Sequence, residues 1–277
     1  MTPHPRVATV GHVEWIDFIR VPHLPAAGEV LAAEEYWSDA GGGGAVAAAT
    51  LAQLAGGASF LTALGDDEVA ERSRVRLRGL RVDVHEARRA GPTRRAVTFV
   101  DSAGERTITT VGSRLQPVGQ DPLPWEQLAS LDAVYFTAGD EDALRAARRA
   151  RVLVATPRAR EALRAGVEVD ALVLSGADAV ESRLADEYAS TARLVVVTAG
   201  GAGGSYRLRD GTAGRWEPVP PAGPIVDTYG CGDSFAAGLT FALGAGRRLD
   251  DALSFAAACG AARLTGHGPY VGELPAP

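Results

Sequence analysis

The second half of this chain repeats one pattern, a short apolar run followed by a helix-like stretch, and this pattern limits the fold more than any other feature. Short apolar runs without polar alternation are typical of strands that are buried on both faces. They occupy residues 131–137, 152–155, 171–174 and 194–198. Buried strands that alternate with helices form a mostly parallel sheet covered on both sides. The prediction is therefore a three-layer α/β fold with a central, mostly parallel sheet.

One segment of the first half does not fit this pattern. Residues 96–100 and 106–110 alternate apolar and polar positions on either side of a polar turn, Asp101-Ser102-Ala103-Gly104. Such alternation predicts a half-exposed β-hairpin. We therefore expect a small β-structure that is inserted early into the α/β domain.

Composition excludes several classes of protein. The chain has no Lys and no Asn, so all 28 basic residues are Arg. A P-loop nucleotide site needs a Lys on the phosphates, and Schiff-base chemistry needs a Lys amine, so neither can operate here. The two cysteines, Cys231 and Cys259, form neither a disulfide framework nor a metal-binding spacing.

Charge and hydropathy restrict the partners. The net charge of −6 requires no basic face, which argues against a nucleic-acid partner. The N-terminus lacks the basic start and apolar run of a signal peptide, and no apolar stretch is long enough to span a membrane. We therefore expect a cytoplasmic protein that acts on a small molecule and has no membrane partner.

A glycine-rich turn, Thr-Ala-Gly-Gly-Ala-Gly-Gly, occupies residues 198–204 directly after an apolar run. Glycines let the backbone approach a phosphate or nucleotide closely. A dinucleotide fingerprint requires a helix next, whereas residues 205–211 predict a hairpin, so a dinucleotide site is excluded. A nucleotide contact and a plain turn between two strands both remain open for this segment.

The best candidate for chemistry is the segment Asp-Thr-Tyr-Gly-Cys-Gly-Asp at residues 227–233, which leads into a helix predicted over 234–243. A glycine-flanked helix start directs free N–H groups and the positive end of the helix dipole at an anion. Position alone favours a simpler role for Asp233, that of complementing the dipole. Amides and a carboxylate at one point nevertheless suit phosphoryl transfer, in which amides hold the developing charge and a carboxylate accepts the proton of the attacking hydroxyl.

This segment resembles the second signature of the ribokinase-like (PfkB) carbohydrate kinase family, Asp-Thr-x-Gly-Ala-Gly-Asp, with Cys231 in the Ala position. Further counterparts follow in order along nearly the whole chain: Val10-Gly11, residues 25–29, the glycines 41–44 that resemble the first signature, and residues 61–67 and 104–108. The resemblance implies a Rossmann-like ribokinase fold in one domain, residues 1–277, with a β-sheet lid built from about 12–38 and 94–111. It also implies phosphoryl transfer from ATP, with Mg²⁺, to a hydroxyl.

The resemblance implies roles for single residues at the phosphoryl-transfer half of the site. Asp233 would be the catalytic base, and the anion hole would consist of Gly230, Cys231 and Gly232. Nucleotide contacts would come from Thr198, Gly200, Gly203 and Ala257.

The resemblance also implies cation sites and a partner. Asp178, in Ser175-Gly176-Ala177-Asp178, takes the place of the Glu in the family's Asn-x-x-Glu and would hold Mg²⁺ indirectly. Asp227 and the Tyr229 carbonyl would hold a monovalent cation such as K⁺. Lids of similar proteins often pair, which implies a possible homodimer through the lid.

The substrate half departs from the family pattern. The family's sugar-binding Asp corresponds to Ile16, and its sugar-binding Asn corresponds to Val46 or Ala47. Each buried hydrogen bond lost in this way costs about 1–3 kcal/mol, which argues against a ribose or fructose specialist.

Other residues are the candidates for acceptor binding. Strand alternation places His12 and Glu14 on the face of Ile16 and places Asp17 on the opposite face. We predict acceptor contacts at Glu14, Asp17, Gly42 and Gly43, with His12 as a further polar group that would suit a nucleoside or another ring compound. Arg94 and Arg106 in the hairpin are interpreted as solvated face residues.

The leading hypothesis is an ATP-dependent kinase that phosphorylates a primary hydroxyl of a sugar, sugar derivative or nucleoside. The alternative is a catalytically silent ligand-binding or sensor protein on the same fold, which the altered substrate and Mg²⁺ motifs would suit. The intact Asp233 and its glycines favour the kinase, because a silent protein does not need the base.

Overall fold

The computed structural model describes residues 4–277, except for the side chains of residues 184–186. In chain order the strands are β1 (Val7–Val10), β2 (Glu14–Arg20), β3 (Glu35–Gly41), β4 (Ala58–Leu64), β5 (Val82–Arg88), β6 (Arg95–Val100), β7 (Arg106–Val111), β8 (Ala133–Phe136), β9 (Val152–Ala155), β10 (Val169–Ser175), β11 (Ala192–Thr198), β12 (Gly204–Leu208) and β13 (Ala213–Trp216). The α-helices are α1 (Gly43–Ala55), α2 (Glu68–Gly79), α3 (Glu141–Ala147), α4 (Arg160–Leu163), α5 (Ala179–Tyr188), α6 (Cys231–Gly244) and α7 (Leu249–Ala262).

The main sheet has nine strands in the order β13-β12-β11-β10-β9-β8-β1-β4-β5. Its strands from β11 to β5 are parallel, and the hairpin β12–β13 adds an antiparallel edge. Successive side chains of a strand point to opposite faces of a sheet, so each apolar strand contributes to two cores. In β8, Tyr135 belongs to one core, whereas Val134 and Phe136 belong to the other.

Helices cover both faces of this sheet. Helices α1, α2, α6 and α7 contribute buried side chains to one core, and helices α3, α4 and α5 contribute them to the other. A sheet of buried strands between two helical layers is the predicted three-layer α/β architecture, and the prediction is confirmed. No helix in the described part of the chain is long and apolar enough to cross a membrane.

A second, four-stranded sheet has the order β3-β2-β6-β7. Its outer pairs are antiparallel, and β2 and β6 run parallel. The predicted hairpin corresponds to β6 and β7. The four strands lie within residues 14–41 and 95–111, close to the expected lid segments. That this sheet acts as a lid stays a prediction.

Helices α1 and α6 pack against each other and begin side by side. Gly42 has a φ of 84° and precedes α1, and Gly230 has a φ of 78° and precedes α6, conformations that glycine adopts without a steric penalty. The Thr50 and Ser234 hydroxyls form a 3.1 Å hydrogen bond between the two helices. The glycine-rich segments of the sequence therefore bring two helix N-termini to the same edge of the main sheet.

Candidate active site

A cavity of about 500 Å³ lies between the two sheets, at the carboxyl ends of the parallel strands. Thr137 follows β8 and Thr156 follows β9, while Ser175 and Thr198 are the last residues of β10 and β11, and all four line the cavity. The β6–β7 hairpin contributes to the opposite wall. Open α/β sheets bind ligands outside the carboxyl ends of their strands, so this cavity is the candidate site.

One end of the cavity is formed by residues 228–233 together with Gly43, and we call it the α6 end. The first N–H groups of a helix have no partner within the helix, and at α6 they belong to Cys231, Gly232 and Asp233. The Ser234 N–H is the first to bond within the helix, to the Gly230 carbonyl at 2.9 Å. Burial raises the pKa of the Cys231 thiol, so this residue contributes a backbone N–H rather than a thiolate. The α6 end therefore presents amide donors to an anion.

The Asp233 carboxylate lies in the first turn of α6 and faces the cavity. A methyl group at Gly43 would come within 2.8 Å of its Oδ1 atom, so the start of α1 leaves room for this carboxylate only because residue 43 is glycine. Burial raises the pKa of Asp233, although His12, Arg158 and Arg106 work in the opposite direction. A carboxylate with a raised pKa accepts a proton more readily than an ordinary aspartate.

Tyr229 connects the starts of α1 and α6. Its hydroxyl oxygen accepts a 2.9 Å hydrogen bond from the Gly42 N–H, and its ring makes an edge contact with Phe18 of β2. Its backbone N–H donates to the buried Asp227 carboxylate, which also accepts from the Gly268 N–H. The segment before α6 is thus held to α1, to the second sheet and to the C-terminal segment at the same time.

A second group of lining residues, which we call the β2 end, consists of His12, Glu14, Arg94 and Arg114, and it meets the α6 end where His12 lies beside Gly42. Glu14 is only 7% exposed, and its Oε1 atom lies 3.1 Å from Arg94 Nη1 and 3.5 Å from His12 Nε2. Burial alone would raise the pKa of Glu14, but His12, Arg94 and Arg114 outweigh it and lower that pKa. Glu14 is therefore held as a carboxylate between basic groups.

The β6–β7 hairpin touches the α6 end directly. Arg106 Nη1 donates to the Thr228 carbonyl at 2.6 Å and to the Thr228 hydroxyl at 3.0 Å. The Gly104 carbonyl, in the hairpin turn, accepts from the Thr228 hydroxyl at 3.2 Å. The second sheet is consequently closed over the cavity at this point.

Two more charged groups enter the cavity from loops beyond the main sheet. Arg158, after β9, donates to Glu181 through Nε and to Asp178 through Nη2, the latter at 2.7 Å. Arg114, after β7, has no carboxylate within 4.0 Å among the described residues. Arg158 thus forms direct ion pairs, whereas Glu161 and Glu14 act on Arg114 only from beyond 4.0 Å.

Comparison with known proteins identifies the family. The family described as pfkB family carbohydrate kinase matches residues 4–277. The chain belongs to this family. The predicted family, and the predicted class of enzyme, a kinase of carbohydrates or nucleosides, are thereby confirmed.

Relatives with different activities cover most of the chain. An ATP-dependent ribose-1-phosphate kinase of Halopiger xanaduensis is 29% identical over 273 residues, which span 92% of this chain and 90% of the relative. A fructokinase of Klebsiella pneumoniae is 31% identical over 283 residues, which span 84% of this chain and 90% of the relative. The solved structure of Arabidopsis thaliana ribokinase complexed with ribose and ATP superposes with a TM-score of 0.76 at 22% identity, covering 98% of this chain and 96% of that one, and supports the fold.

The predicted nucleotide contacts lie along one turn and one helix of this pfkB family protein. Thr198 lines the cavity, and Gly200 and Gly203 continue the turn after β11 with φ values of 54° and 76°. A methyl group at Gly203 would come within 2.2 Å of the Trp216 carbonyl oxygen, so the turn closes tightly onto β13. Ala257 lies on α7 and packs against the core with part of its surface exposed. Their contact with a nucleotide stays a prediction.

The predicted acceptor contacts divide into two groups. Glu14, Gly42 and Gly43 line the cavity. Asp17 does not, because strand alternation turns it to the other face of β2, where it accepts from the Tyr36 hydroxyl at 2.8 Å and from Arg95 Nη2 at 2.6 Å. The structure therefore does not bring Asp17 together with the other predicted site residues.

The interpretation of Arg94 and Arg106 as solvated face residues is wrong for Arg94, whereas Arg106 is exposed as expected but also forms contacts within the cavity. The Arg94 side chain is 19% exposed and pairs with Glu14, and Arg106 bonds to Thr228 at the α6 end. Both line the cavity. The alternation of the hairpin correctly indicated one exposed face, but it could not show that the other face is covered by the main domain.

The predicted cation sites are occupied by internal hydrogen bonds. Asp178 caps α5 by accepting from the Val180 and Glu181 N–H groups, and its other oxygen accepts from Arg158. Among the side chains that the structure describes, no three of His, Cys, Asp or Glu form a cluster that could hold a metal ion. Both oxygens of Asp178 are thus engaged within the protein. Mg²⁺ usually binds with substrate phosphates instead. A monovalent cation at Asp227 and the Tyr229 carbonyl stays a prediction.

Three charged residues of the cavity are absent from the sequence-based prediction. Glu181 lies one helical turn after Asp178. This spacing in the sequence could have indicated a second carboxylate at the same edge of the sheet. Arg114 and Arg158 lie in loops without any motif, and no local signal distinguishes them from other arginines. These two side chains reach one cavity only because the fold places the end of β7 near the end of β9.

Proposed function

We propose that this protein transfers the terminal phosphoryl group of ATP to a hydroxyl of a sugar, sugar derivative or nucleoside, with Asp233 as the base. One observation carries the proposal: the Asp233 carboxylate and the free amides of the first turn of α6 lie at the same point of the cavity. A base and an anion-binding site at one point are the two groups that phosphoryl transfer to a hydroxyl requires.

Asp233 would accept the proton of the attacking hydroxyl. Its raised pKa suits this role, because proton transfer is most effective when the base has a pKa nearer to the working pH. Gly43 holds the carboxylate in place by leaving it just enough room. The backbone N–H groups at Gly230, Cys231 and Gly232 would then stabilise the charge on the transferred group, because they are fixed before the reaction begins.

The closed hairpin would keep water out. Arg106 and Gly104 both bond to Thr228, so the second sheet is tied to the segment that carries the anion hole. Exclusion of water prevents hydrolysis of ATP and strengthens the electrostatic interactions within the cavity. This contact supports the predicted lid.

ATP, bound together with Mg²⁺, supplies the phosphoryl group, and the metal neutralises part of the phosphate charge. Thr198, Gly200, Gly203 and Ala257 are the residues that we propose hold the nucleotide, since Thr198 lines the cavity and Gly200 and Gly203 continue the turn that begins there. Asp178 is a weaker proposal for an indirect Mg²⁺ contact, because both of its oxygens are already bonded.

The acceptor class rests on the cavity and on the relatives together. The names of the relatives cover ribose 1-phosphate and fructose, so the family scaffold accepts both charged and neutral sugars. Ile16, and Val46 or Ala47, take the places of the expected sugar contacts, and all three are fully buried. The hydroxyl-bearing acceptor must therefore be bound by other groups.

A silent ligand-binding protein is the second candidate, and the engaged Asp178 is the observation in its favour. A coupled assay of ATP turnover against sugars, sugar phosphates and nucleosides separates the two. Nucleotide binding without turnover on any of these acceptors would favour the silent protein.

The decisive variant is Asp233→Asn. Loss of a general base lowers kcat by roughly 10²- to 10⁴-fold, and we expect that loss with nucleotide Kd within about threefold of wild type. Asp142→Asn is the matched control, since Asp142 also lies in the first turn of a helix, α3, but does not line the cavity. A kcat of Asp233→Asn equal to that of Asp142→Asn would remove Asp233 from the proposed role.

A further inference from the structure

The β2 end of the cavity contains two arginines, Arg94 and Arg114, and one carboxylate, Glu14. Arg94, which precedes β6, pairs with Glu14. Arg158 pairs with Asp178 and Glu181. Arg114 shares the cavity with both of them but, among the described residues, has no acidic partner within 4.0 Å.

Such an arrangement is unfavourable without a ligand. Burial lowers the pKa of Arg114 and the nearby Arg94 lowers it further, and together they outweigh Glu161 and Glu14, which act in the opposite direction. Among the described residues, the Nε atom of Arg94 is also buried without a hydrogen-bond partner. Buried donors are nearly always paired in native proteins, and buried charges need an opposite charge.

The donors face the part of the cavity where an acceptor would lie. His12 and Glu14 follow β1 in the chain and lie beside Gly42, at the start of α1. The His12 Nδ1 atom is likewise buried, with no hydrogen-bond partner in the described part of the chain. Glu14 is paired from both sides, so it orients Arg94 rather than offering a free acceptor for sugar hydroxyls.

We propose that the acceptor carries an oxyanion group, foremost a phosphomonoester, and that Arg94 and Arg114 bind this group. Guanidinium groups match phosphate and carboxylate in geometry as well as in charge, with two N–H donors available side by side. The acceptor would thus be a sugar phosphate, or a sugar acid if the oxyanion is a carboxylate.

This inference rests on the proposed function and names its substrate. The acceptor would be held by its anionic group at the β2 end while a hydroxyl at its other end reaches Asp233. The hydroxyl oxygen forms a bond to the terminal phosphorus of ATP, the bond from that phosphorus to ADP breaks, and the hydroxyl proton passes to Asp233. The product would carry two anionic groups.

Arg114→Met is the informative variant. Removal of Arg94 would leave the buried Glu14 carboxylate without its ion-pair partner and so endanger folding. Arg114 forms no ion pair within 4.0 Å among the described residues, so its removal does not carry this risk. The control is Arg95→Met, in the same hairpin, because Arg95 is 53% exposed and pairs with Asp17 outside the cavity.

The experiment measures kcat/KM for neutral sugars, their phosphates and the matching sugar acids, including ribose with ribose 1-phosphate and ribose 5-phosphate. We expect a charged acceptor to exceed its neutral parent at least tenfold. Arg114→Met should lower kcat/KM for the charged acceptor by roughly 10- to 100-fold, as expected for a lost charge-assisted hydrogen bond, and leave neutral sugars unchanged. A preference for sugar acids over sugar phosphates would assign the oxyanion as a carboxylate.

Binding provides an independent readout. Thermal shifts are measured with the same compounds and with inorganic phosphate, in the presence of a saturating non-hydrolysable ATP analogue that occupies the α6 end. Stabilisation by an oxyanion compound that Arg114→Met abolishes and Arg95→Met retains supports the inference. Absence of any stabilisation that depends on Arg114 would overturn it.

The two proposals can fail separately. Turnover of neutral sugars that depends on Asp233 but is indifferent to Arg114 and to acceptor charge would leave the kinase and remove the oxyanion site. Binding of a sugar phosphate that depends on Arg114, without phosphorylation of any acceptor, would leave the oxyanion site and remove the kinase.

Discussion

The two ends of the cavity are built in different ways. The α6 end comes from one continuous segment, residues 228–233, with Gly43 beside it, and it offers mainly backbone amides and one carboxylate. The β2 end collects side chains from β2, from both ends of the β6–β7 hairpin and from the loop after β1. Its groups are ionic and depend on one another, as Glu14 does on Arg94.

This difference separates rate from selectivity. Backbone amides at a helix start keep their positions whatever side chains surround them, so the α6 end suits the reaction step that all acceptors share. Long charged side chains can be exchanged without moving the backbone, so the β2 end suits the choice of acceptor. Changes at the first end should therefore alter kcat, and changes at the second should alter the KM of the acceptor.

The largest effect is expected from Gly230→Ala. Its φ of 78° strains any residue with a Cβ, and that Cβ would come within 3.0 Å of Val46. Displacement of the amides that follow should lower kcat about 100-fold or more, as removal of an anion-hole donor does, with the KM of the acceptor within about threefold. Steady-state kinetics test this expectation.

Gly246→Ala is the matched control, since Gly246 has a φ of 75° just beyond the other end of α6 and nothing within 4 Å of its Cβ position. Both variants carry the backbone strain of a left-handed residue, but only Gly230 adjoins the cavity. Equal kcat values for the two variants would show that strain, rather than the amides, causes the loss.

An intermediate effect is expected at the β2 end from Glu14→Ala. Arg94 would lose the carboxylate that holds it, so the KM of the acceptor should rise roughly tenfold, the loss expected for one misplaced charge-assisted hydrogen bond, while kcat changes little. Asp17→Ala, on the same strand but the opposite face, removes an ion pair to an exposed arginine and should change KM less than twofold. If Asp17→Ala raised KM as much as Glu14→Ala, the assignment of faces would be untenable.

The smallest effect concerns stability. Burial raises the pKa of Asp233, so the folded protein holds the proton more tightly than the unfolded chain and the ionised carboxylate destabilises the fold. This penalty is fully present above the raised pKa and disappears as pH falls below the ordinary range of aspartate. Asp233→Asn should therefore raise Tm at pH 7.5, by about 2–4 °C for each kcal/mol removed, a scale known for domains of 150–250 residues.

Scanning calorimetry from pH 4 to pH 8 measures this difference. The Tm gain of Asp233→Asn should shrink as the pH is lowered, because wild type then carries a protonated, neutral residue 233 as well. A gain that is constant over this range would show that the carboxylate charge is not its cause.

The sequence anticipated the α6 end because everything needed lies within one segment. Residues 227–233 and the following helix are contiguous, and a helix start orients its amides without help from distant residues. The parallel sheet was predictable for a similar reason, since each buried strand identifies itself by its own apolar run.

The β2 end was predictable only in part. Alternation along β2 correctly assigned Glu14 and Asp17 to opposite faces, because this assignment depends only on neighbouring residues of one strand. Whether a face is covered depends on contacts between segments far apart in the chain, such as Arg94 with Glu14. No pattern near Arg114 or Arg158 indicates that the ends of β7 and β9 meet, so their convergence required the three-dimensional structure.

The Tyr229 hydroxyl, which joins the Gly42 N–H to the segment before α6, limits how such a protein can diversify. A mutation that shifts the start of α1 to fit a new acceptor would also pull on the amides of α6, so new specificity gained there would come with slower turnover. Substitutions at Arg114 carry no such liability, because in the described chain this side chain holds neither helix start. Among proteins with this hydrogen bond, sequence differences should accordingly be concentrated in the side chains of the second sheet and its flanking loops.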